Sequence, residues 1–391
     1  MPKDEATSTE DEELLRSAVR AALEQLSTSE DVRRAMATAQ GYEDKTWQRL
    51  SRELGLPGLT IAEEYGGAGL TEAVLGIAIG EAGASLLCAP LFATAGLALP
   101  LLKALGDERA IARYAPRIAA ADLTATVALA EDSGRWLPAV VAATARRAGD
   151  GDGWLLNGVK NYVVDGGTAG LILVVARAFG EALPAAGELG VFAVDKGAAG
   201  LETEQLVTLD QTRKQARLTL GNVGASLVGV TGATAVAAVD KATAVSRALL
   251  AAEQAGGAQH CLDMTVEYAR ARIQFGRAIG SFQAIKQRLA EMLILTESAK
   301  SAAYAALAAA GDASEDKDAA DLEHVAAAAA LTAGEAYAYV SAQTVQLHGG
   351  IGFTWEHDAH LYFKRARASA LLLGTASELT DLIGCQLAAI I

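Results

Sequence analysis

Tyr268–Met292 reads YARARIQFGRAIGSFQAIKQRLAEM. Its apolar spacing starts inside a long helical pattern, pauses at Gly276 and Gly280, and resumes as a second helix. Around the pause stand Arg270, Arg272, Gln274, Phe275, Gly276 and Arg277, followed by Phe282 and Gln283. Arginines and backbone N–H groups beside a helix break suit a bound pyrophosphate. An aromatic and a glutamine on the same turn suit a planar ring system with polar edges. The same residues equally make an ordinary helix–loop–helix corner with a solvated basic face, and residue type alone does not separate the two.

The chain around this stretch has 391 residues, enough for two or three domains at roughly 100–200 residues each. Hydrophobic residues make up 51% of it and aromatics only 5%, so large cores packed through small side chains are expected. A net charge of −14 argues against a nucleic-acid partner. Any anionic ligand therefore needs a local basic patch. Cys88, Cys261 and Cys385 are far apart and odd in number, which suggests neither a disulfide framework nor a zinc site. A reduced, cytoplasmic compartment fits that usage. The opening MPKDEATSTEDEELL is acidic and unlike a targeting peptide. No apolar run reaches the roughly 18–20 residues of a membrane span.

In chain order, an acidic lead (1–9) precedes a helix capped at Ser8 or Thr9, with Leu14, Leu15, Val19, Ala22 and Leu23 at helical spacing. Helices follow over about Asp44–Leu54, Thr71–Ala82, Pro90–Ala104 and Asp107–Ala119, with Pro116 expected to end or kink the last. From about residue 121 the texture changes to short β-rich runs separated by DG, NG and GG signals, which reads as an antiparallel barrel or sandwich. From 231 the chain is helical again, with long segments over about Ala235–Arg270, Gln283–Ala310 and Leu322–Gln346, a polar connection GDASEDKDAAD, and two shorter helices. The expected fold is α+β and mostly α: an N-terminal helical domain (1–120), a middle β domain (121–230) and a C-terminal four-helix bundle (231–391).

This order resembles the acyl-CoA dehydrogenase family. WQRLSRELGLPGLTIAEEYGGAGL (47–70) is similar to that family's N-terminal signature, with Ala62 where Pro is usual. RIQFGRAIGSFQ (272–283) and LHGGIGFTWEHDAHLYFKRARA (347–368) resemble its two C-terminal signatures. The resemblance implies FAD as cofactor, with the adenine dinucleotide end held by Arg272, Phe275, Gly276 and Gln283. It implies that Gln346, Gly349 and Gly350 complete the flavin site of a neighbouring subunit, that Thr375 belongs to the same cofactor site, and that the chain is at least a dimer with itself or a paralogue. It further implies an acyl-CoA thioester substrate, removal of its α proton by a Glu, β-hydride transfer to flavin, and an electron-transfer flavoprotein as acceptor.

Here the sequence departs from the pattern. The two positions where that Glu is found hold Leu373, before Gly374–Thr375, and Ser246, before Arg247. Neither is a base. Glu253 lies seven residues beyond Ser246, about 10.5 Å along the helix axis. It is the remaining candidate, and a charge at a helix or subunit contact is the simpler reading of it. Glu378 reads as a solvated helix residue. In ALAEDSGRW (128–136) only Glu131 and Ser133 keep loose register with the flavin-covering strand, and Val164 replaces a hydroxyl that normally meets the flavin. Asp210 and Arg213 suggest an ion pair closing the barrel, and His357 and His360 lack a third metal ligand. Three readings remain open: a self-sufficient dehydrogenase with an unusual base, a subunit whose paralogous partner carries the Glu, and a flavin- or acyl-CoA-binding scaffold without turnover.

Overall fold

A computed structural model describes residues 9–149, 153–180, 184, 186–312 and 319–390. The acidic lead, the Ser8 cap and most of the GDASEDKDAAD connection lie outside them.

The first helix, α1 (Thr9–Leu26), buries Val19 and Leu23 and leaves Leu14 exposed. A capping box opens the second helix. Thr28 Oγ1 accepts from the Asp31 amide, and the Asp31 carboxylate accepts from the Thr28 amide at 3.1 Å, opening α2 (Ser29–Met36). Next come α3 (Asp44–Arg52) and α4 (Glu72–Ala84). A π-helical stretch (Phe92–Ala98) then runs into α5 (Leu99–Leu105), and α6 (Glu108–Ala119) follows. Asp107 caps α6 by accepting from the Arg109 and Ala110 amides. Pro116 does not end that helix. It removes one hydrogen bond near the C-terminus, while its own carbonyl still accepts from Ala120 and buried Tyr114 and Ile118 anchor both sides.

The middle region is β1 (Ala125–Ala128), β2 (Thr144–Arg147), β3 (Gly153–Val164), β4 (Leu171–Phe179), β5 (Glu188–Asp195), β6 (Leu201–Gln205) and β7 (Gln215–Val228). The expected antiparallel pattern holds for most pairs, but β1 and β2 both lie parallel to β4. The pairings β4–β2–β3–β7–β5–β4 close on themselves, so no ring strand is left with both edges open. The NG turn signal at Asn157–Gly158 proved to be a bulge inside continuous strands. Asn222, at φ +55°, is the extra residue on β7, and it exchanges two 3.0 Å hydrogen bonds with Asn157 on β3.

The C-terminal part is α7 (Ala233–Ala271), a hairpin of β8 (Ile273–Gln274) and β9 (Arg277–Ala278), α8 (Gln283–Asp312), α9 (Ala319–His348), α10 (Ala359–Ser369) and α11 (Ala376–Ile390). The start of α8 meets the end of α9 through Arg288–Gln343 and Glu291–Tyr339 hydrogen bonds. The two helices are therefore antiparallel. The end of α7, the start of α8 and the end of α9 share one end of the bundle. One apolar core runs from α1 through α4, α5 and β4 into α7 and α9, and a second fills the barrel.

Helix α4 crosses α7 at backbone contact. A Cβ added at Gly256 would lie 1.9 Å from the Gly80 carbonyl, and one at Gly83 would lie 2.1 Å from the Glu253 carbonyl. Only glycine fits where two helix backbones touch. We expect Gly256→Val to destabilise the chain by about 1–3 kcal/mol through forced separation of the helices. The measurement is the denaturant midpoint, compared with a Gly384→Ala control whose added Cβ meets nothing within 4 Å.

Candidate functional site

The turn that opened the sequence reading is a two-residue β-hairpin. Ile273 pairs with Ala278 and Gln274 with Arg277, leaving Phe275 and Gly276 as the loop at φ +53° and +77°. Two successive positive φ values are what a type I′ loop requires. Holding a phenylalanine there costs strain and turns its ring outward, 90% exposed. Arg277 stacks 4.1 Å above the Phe282 ring, and Phe282 meets Phe275 edge-on at 6.1 Å. Arg272 and Gln283 are exposed on the same corner. The structure thus brings Arg272, Phe275, Gly276 and Gln283 together.

Gln346, Gly349 and Gly350 occupy the end of α9, at the same end of the bundle and facing solvent. A Cβ at Gly276, Gly349 or Gly350 would meet nothing within 4 Å. Gly276 and Gly349 at least need their positive φ, whereas Gly350 does not, so no contact inside this chain demands glycine there. Exposed guanidinium, an exposed aromatic and open glycine backbone fit the anionic dinucleotide end of FAD.

The ring-end residues fit less well, because they are engaged within the chain. Fully buried Lys160 donates to Glu131 at 2.7 Å and to the Leu129 carbonyl at 3.1 Å. Glu131 also accepts from the Ala142 and Ala143 amides, both at 2.9 Å. Burial pushes the Lys160 amine down to about 8, with Glu131 opposing. Val164 is buried in the main core, and its carbonyl accepts from Thr126. Thr375 caps α11: its amide and hydroxyl both donate to Glu378, whose amide donates back to the Thr375 hydroxyl. Glu378 is therefore no free surface charge. It also accepts from Arg135 at 2.7 Å and ties α11 to the segment after β1.

Both usual base positions are closed. Leu373 is 1% exposed, packs in the main core and sits at φ +65°. A left-handed leucine costs about 1–2 kcal/mol. Its carbonyl accepts from Arg247 Nε at 2.9 Å. Ser246 is 2% exposed.

Glu253 is buried between two arginines. Arg213 donates to one carboxylate oxygen, and Arg365 donates to the other at 3.2 Å. Arg365 also donates to Asp210 at 2.8 Å and to Thr212, and Arg213 donates to Ser369. The expected Asp210–Arg213 pair is thus replaced by crossed pairs, Asp210–Arg365 and Glu253–Arg213. A carboxylate bound on both oxygens by arginine is a structural anion. To take a substrate proton it would have to surrender two buried ion pairs.

Sequence reasoning missed Asp165, which lines a cavity of about 20 Å³ with Thr212, Arg213, Glu253 and Arg365. Burial pushes its carboxyl up to about 7, against the pull of Arg213 and Arg365. Its signal was its place at the end of β3, beside Val164. Among the described residues no group of three His, Cys, Asp or Glu could hold a metal, and no helix is long and apolar enough to cross a membrane.

Two outcomes follow from this cluster. Glu253→Gln should destabilise the fold by about 3–5 kcal/mol, because it leaves buried arginine charge uncompensated; urea unfolding measures it. Asp165 has a folded pKa above its unfolded value. Its ionisation therefore opposes folding above pH 7, and that opposition fades as pH falls from 7 to 4. Asp165→Asn should raise stability at pH 8 by a few kcal/mol and leave it nearly unchanged at pH 4, as read from thermal midpoints across that range.

Comparison with known proteins agrees with this architecture. Models of the acyl-CoA dehydrogenase N-terminal, middle and C-terminal domains match residues 9–122, 126–223 and 236–387. The chain is 35% identical to acyl-CoA dehydrogenase IpdE2 of Mycobacterium tuberculosis, over 95% of this chain and 96% of that one. Among solved structures, it is similar to a variant of the Tcur3481-Tcur3483 steroid ACAD, at TM-score 0.82 and 30% identity, over 97% of this chain and 98% of that one. It is also similar to the ChsE4-ChsE5 complex from Mycobacterium tuberculosis, at TM-score 0.85 and 27% identity, over 98% of each chain. A family whose three domain models cover most of the chain, and a relative matched nearly end to end, lead to one conclusion: the chain belongs to the acyl-CoA dehydrogenase family, whose cofactor is FAD.

Proposed function

We propose that this chain is the base-lacking subunit of a heteromeric FAD-dependent acyl-CoA dehydrogenase, pairing with a paralogue that carries the Glu. The observation that carries the reading is the fate of the three acid positions. Leu373 and Ser246 have no carboxylate, and Glu253 is held by two arginines. The reaction is α,β-desaturation of an acyl-CoA thioester, with the partner's carboxylate taking the α proton. Bound FAD supplies the acceptor for the β hydride. Arg272, Phe275, Gly276 and Gln283 hold the dinucleotide end of one flavin, and Gln346, Gly349 and Gly350 face the flavin of the neighbouring subunit. Thr375 contributes backbone to the site at most, since its hydroxyl and amide serve Glu378. The extents of the three domain models support a division at 120 and 230. The solved structures of the Tcur3481-Tcur3483 steroid ACAD variant and of the ChsE4-ChsE5 complex support the heteromer and favour a bulky thioester. An electron-transfer flavoprotein is the acceptor that goes with this reading, in the cytoplasm.

The self-sufficient enzyme with Glu253 as base is the weaker reading, for the reason just given. The silent scaffold differs from the proposal only in turnover by the assembled complex.

The test is co-expression with the paralogue. We expect the isolated chain to purify without flavin absorbance and the pair to be yellow and to bleach with an acyl-CoA thioester and an artificial electron acceptor. A yellow homo-oligomer that turns over alone would overturn the proposal. Gly350→Leu should lower the flavin content of the pair by roughly tenfold, the weight of a close backbone contact. The thermal midpoint of the isolated chain should stay unchanged, since an added Cβ meets nothing there.

A further inference from the structure

Three aromatic rings link the two segments assigned above to different flavins. Tyr268 lies in the last turn of α7, and its carbonyl accepts from the Arg272 amide at 2.8 Å. Its ring stacks on His348 at 4.3 Å, and its hydroxyl donates to the His348 carbonyl at 3.3 Å. His348 is the last residue of α9, immediately before Gly349, and is 3% exposed. Its ring lies 4.4 Å from that of His357. His348 and His357 bracket residues 349–356, the loop that carries Gly349 and Gly350. Inside that bracket, a Cβ at Gly352 would come within 3.0 Å of His348 Cβ, so the loop folds back on its own clasp.

We infer that the Tyr268–His348–His357 stack is a positioning clasp that locks the 349–356 loop to the Arg272 turn. The hydrogen bonds define the protonation it needs. His348 Nδ1 lies 2.7 Å from the Thr344 carbonyl and so carries the proton. His357 Nδ1 accepts from the Ala359 amide at 3.1 Å, so its proton is on Nε2. Its accepting bond fixes His357 as neutral; burial lowers both rings below the usual imidazole value, although the Thr344 carbonyl favours a charged His348. A second charge at 4.4 Å would be repelled by the first. Charged groups of two further elements face the clasp. Arg33 of α2 donates to the His357 carbonyl and pairs with Asp358, while Lys364 and His360 of α10 lie around Trp355. Asp358 favours a charged His357 more than Arg33 opposes it, and burial outweighs both in keeping that ring neutral. Acidification should therefore open the clasp, and loosen the Arg272 turn with it.

The bearing of the clasp on flavin rests on the proposed function, and the clasp itself does not. The test is hydrogen exchange on the full chain, following residues 349–356 and the amides of Arg272 and of Ile279, which donates to the Arg272 carbonyl at 2.9 Å. His348→Ala should speed exchange in both segments by roughly five- to tenfold, the equivalent of one aromatic pair. Tyr268→Leu, which cuts the stack from the other side, should do the same. His348→Phe, which keeps a ring and cannot be charged, should restore protection. In the wild type both segments should lose protection between pH 7 and 5 beyond the intrinsic change, and the His348→Phe, His357→Phe double variant should not. Loosening confined to 349–356, with the Arg272 and Ile279 amides unmoved in both truncation variants, overturns the inference. So does failure of His348→Phe to restore protection. Flavin uptake by the co-expressed pair is read separately. If His348→Ala opens both segments and flavin uptake is unaltered, the clasp stands and the assignment of this loop to a flavin falls.

Discussion

Two arginines from different parts of the chain meet one buried glutamate, and the arrangement of the domains depends on that meeting. Arg213 leaves the segment before β7, Arg365 comes from α10, and Glu253 stands on α7 where α4 touches it backbone to backbone. Asp210 and Thr212 close the network from the barrel side. An isolated charge in this seam would cost several kcal/mol, so none of the members is free to be used for anything else. The barrel and the long bundle are in this way joined by one set of polar contacts, and the N-terminal helices join them through the apolar core. What the seam gains in definition it loses in chemistry, because its carboxylate has become part of the frame.

The site is accordingly divided. At the end of the bundle the chain presents outward-facing groups: Arg272, the strained Phe275, and glycines with empty space beside them. The residues that the family resemblance assigns to the flavin ring and the thioester are turned inward. Lys160 takes Glu131, Glu378 takes Thr375, and Leu373 enters the core. Each of these contacts satisfies a buried or capping group that would otherwise be unpaired. In each case a polar group that could face a ligand serves the fold instead.

Much of the fold was legible because it rests on periodicity. The long helices and their ends followed from apolar spacing, and Asp107 was correctly placed as a cap. Errors arose where a local signal had two outcomes. Asn157–Gly158 signalled a turn but made a bulge, since the strand partner across from it carries Asn222 at positive φ. Pro116 signalled a break but stood close enough to the helix end to lose only one bond. Helix α2 was missed because its eight residues are too few for a clear period. The candidate site was legible as a list of residue types and not as a set of partners. Nothing in the spacing shows that Arg213 chooses Glu253 over Asp210, or that Glu378 folds back on Thr375. The first choice is made between elements far apart in the chain, and the second by a turn whose shape the sequence only suggests. Asp165 was missed because its burial depends on separate elements closing over it.

Gly350 has a consequence for anyone who would improve this protein by its folding energy. Its backbone is ordinary, and a side chain there meets nothing. A screen scoring the isolated chain would mark the position as free to vary and would favour replacing a flexible residue with a stiffer one. On the proposed function, the reason for a glycine at that point lies in the neighbouring subunit's flavin. Two genes would then have to change together, and stability measured on one product alone would be blind to the constraint.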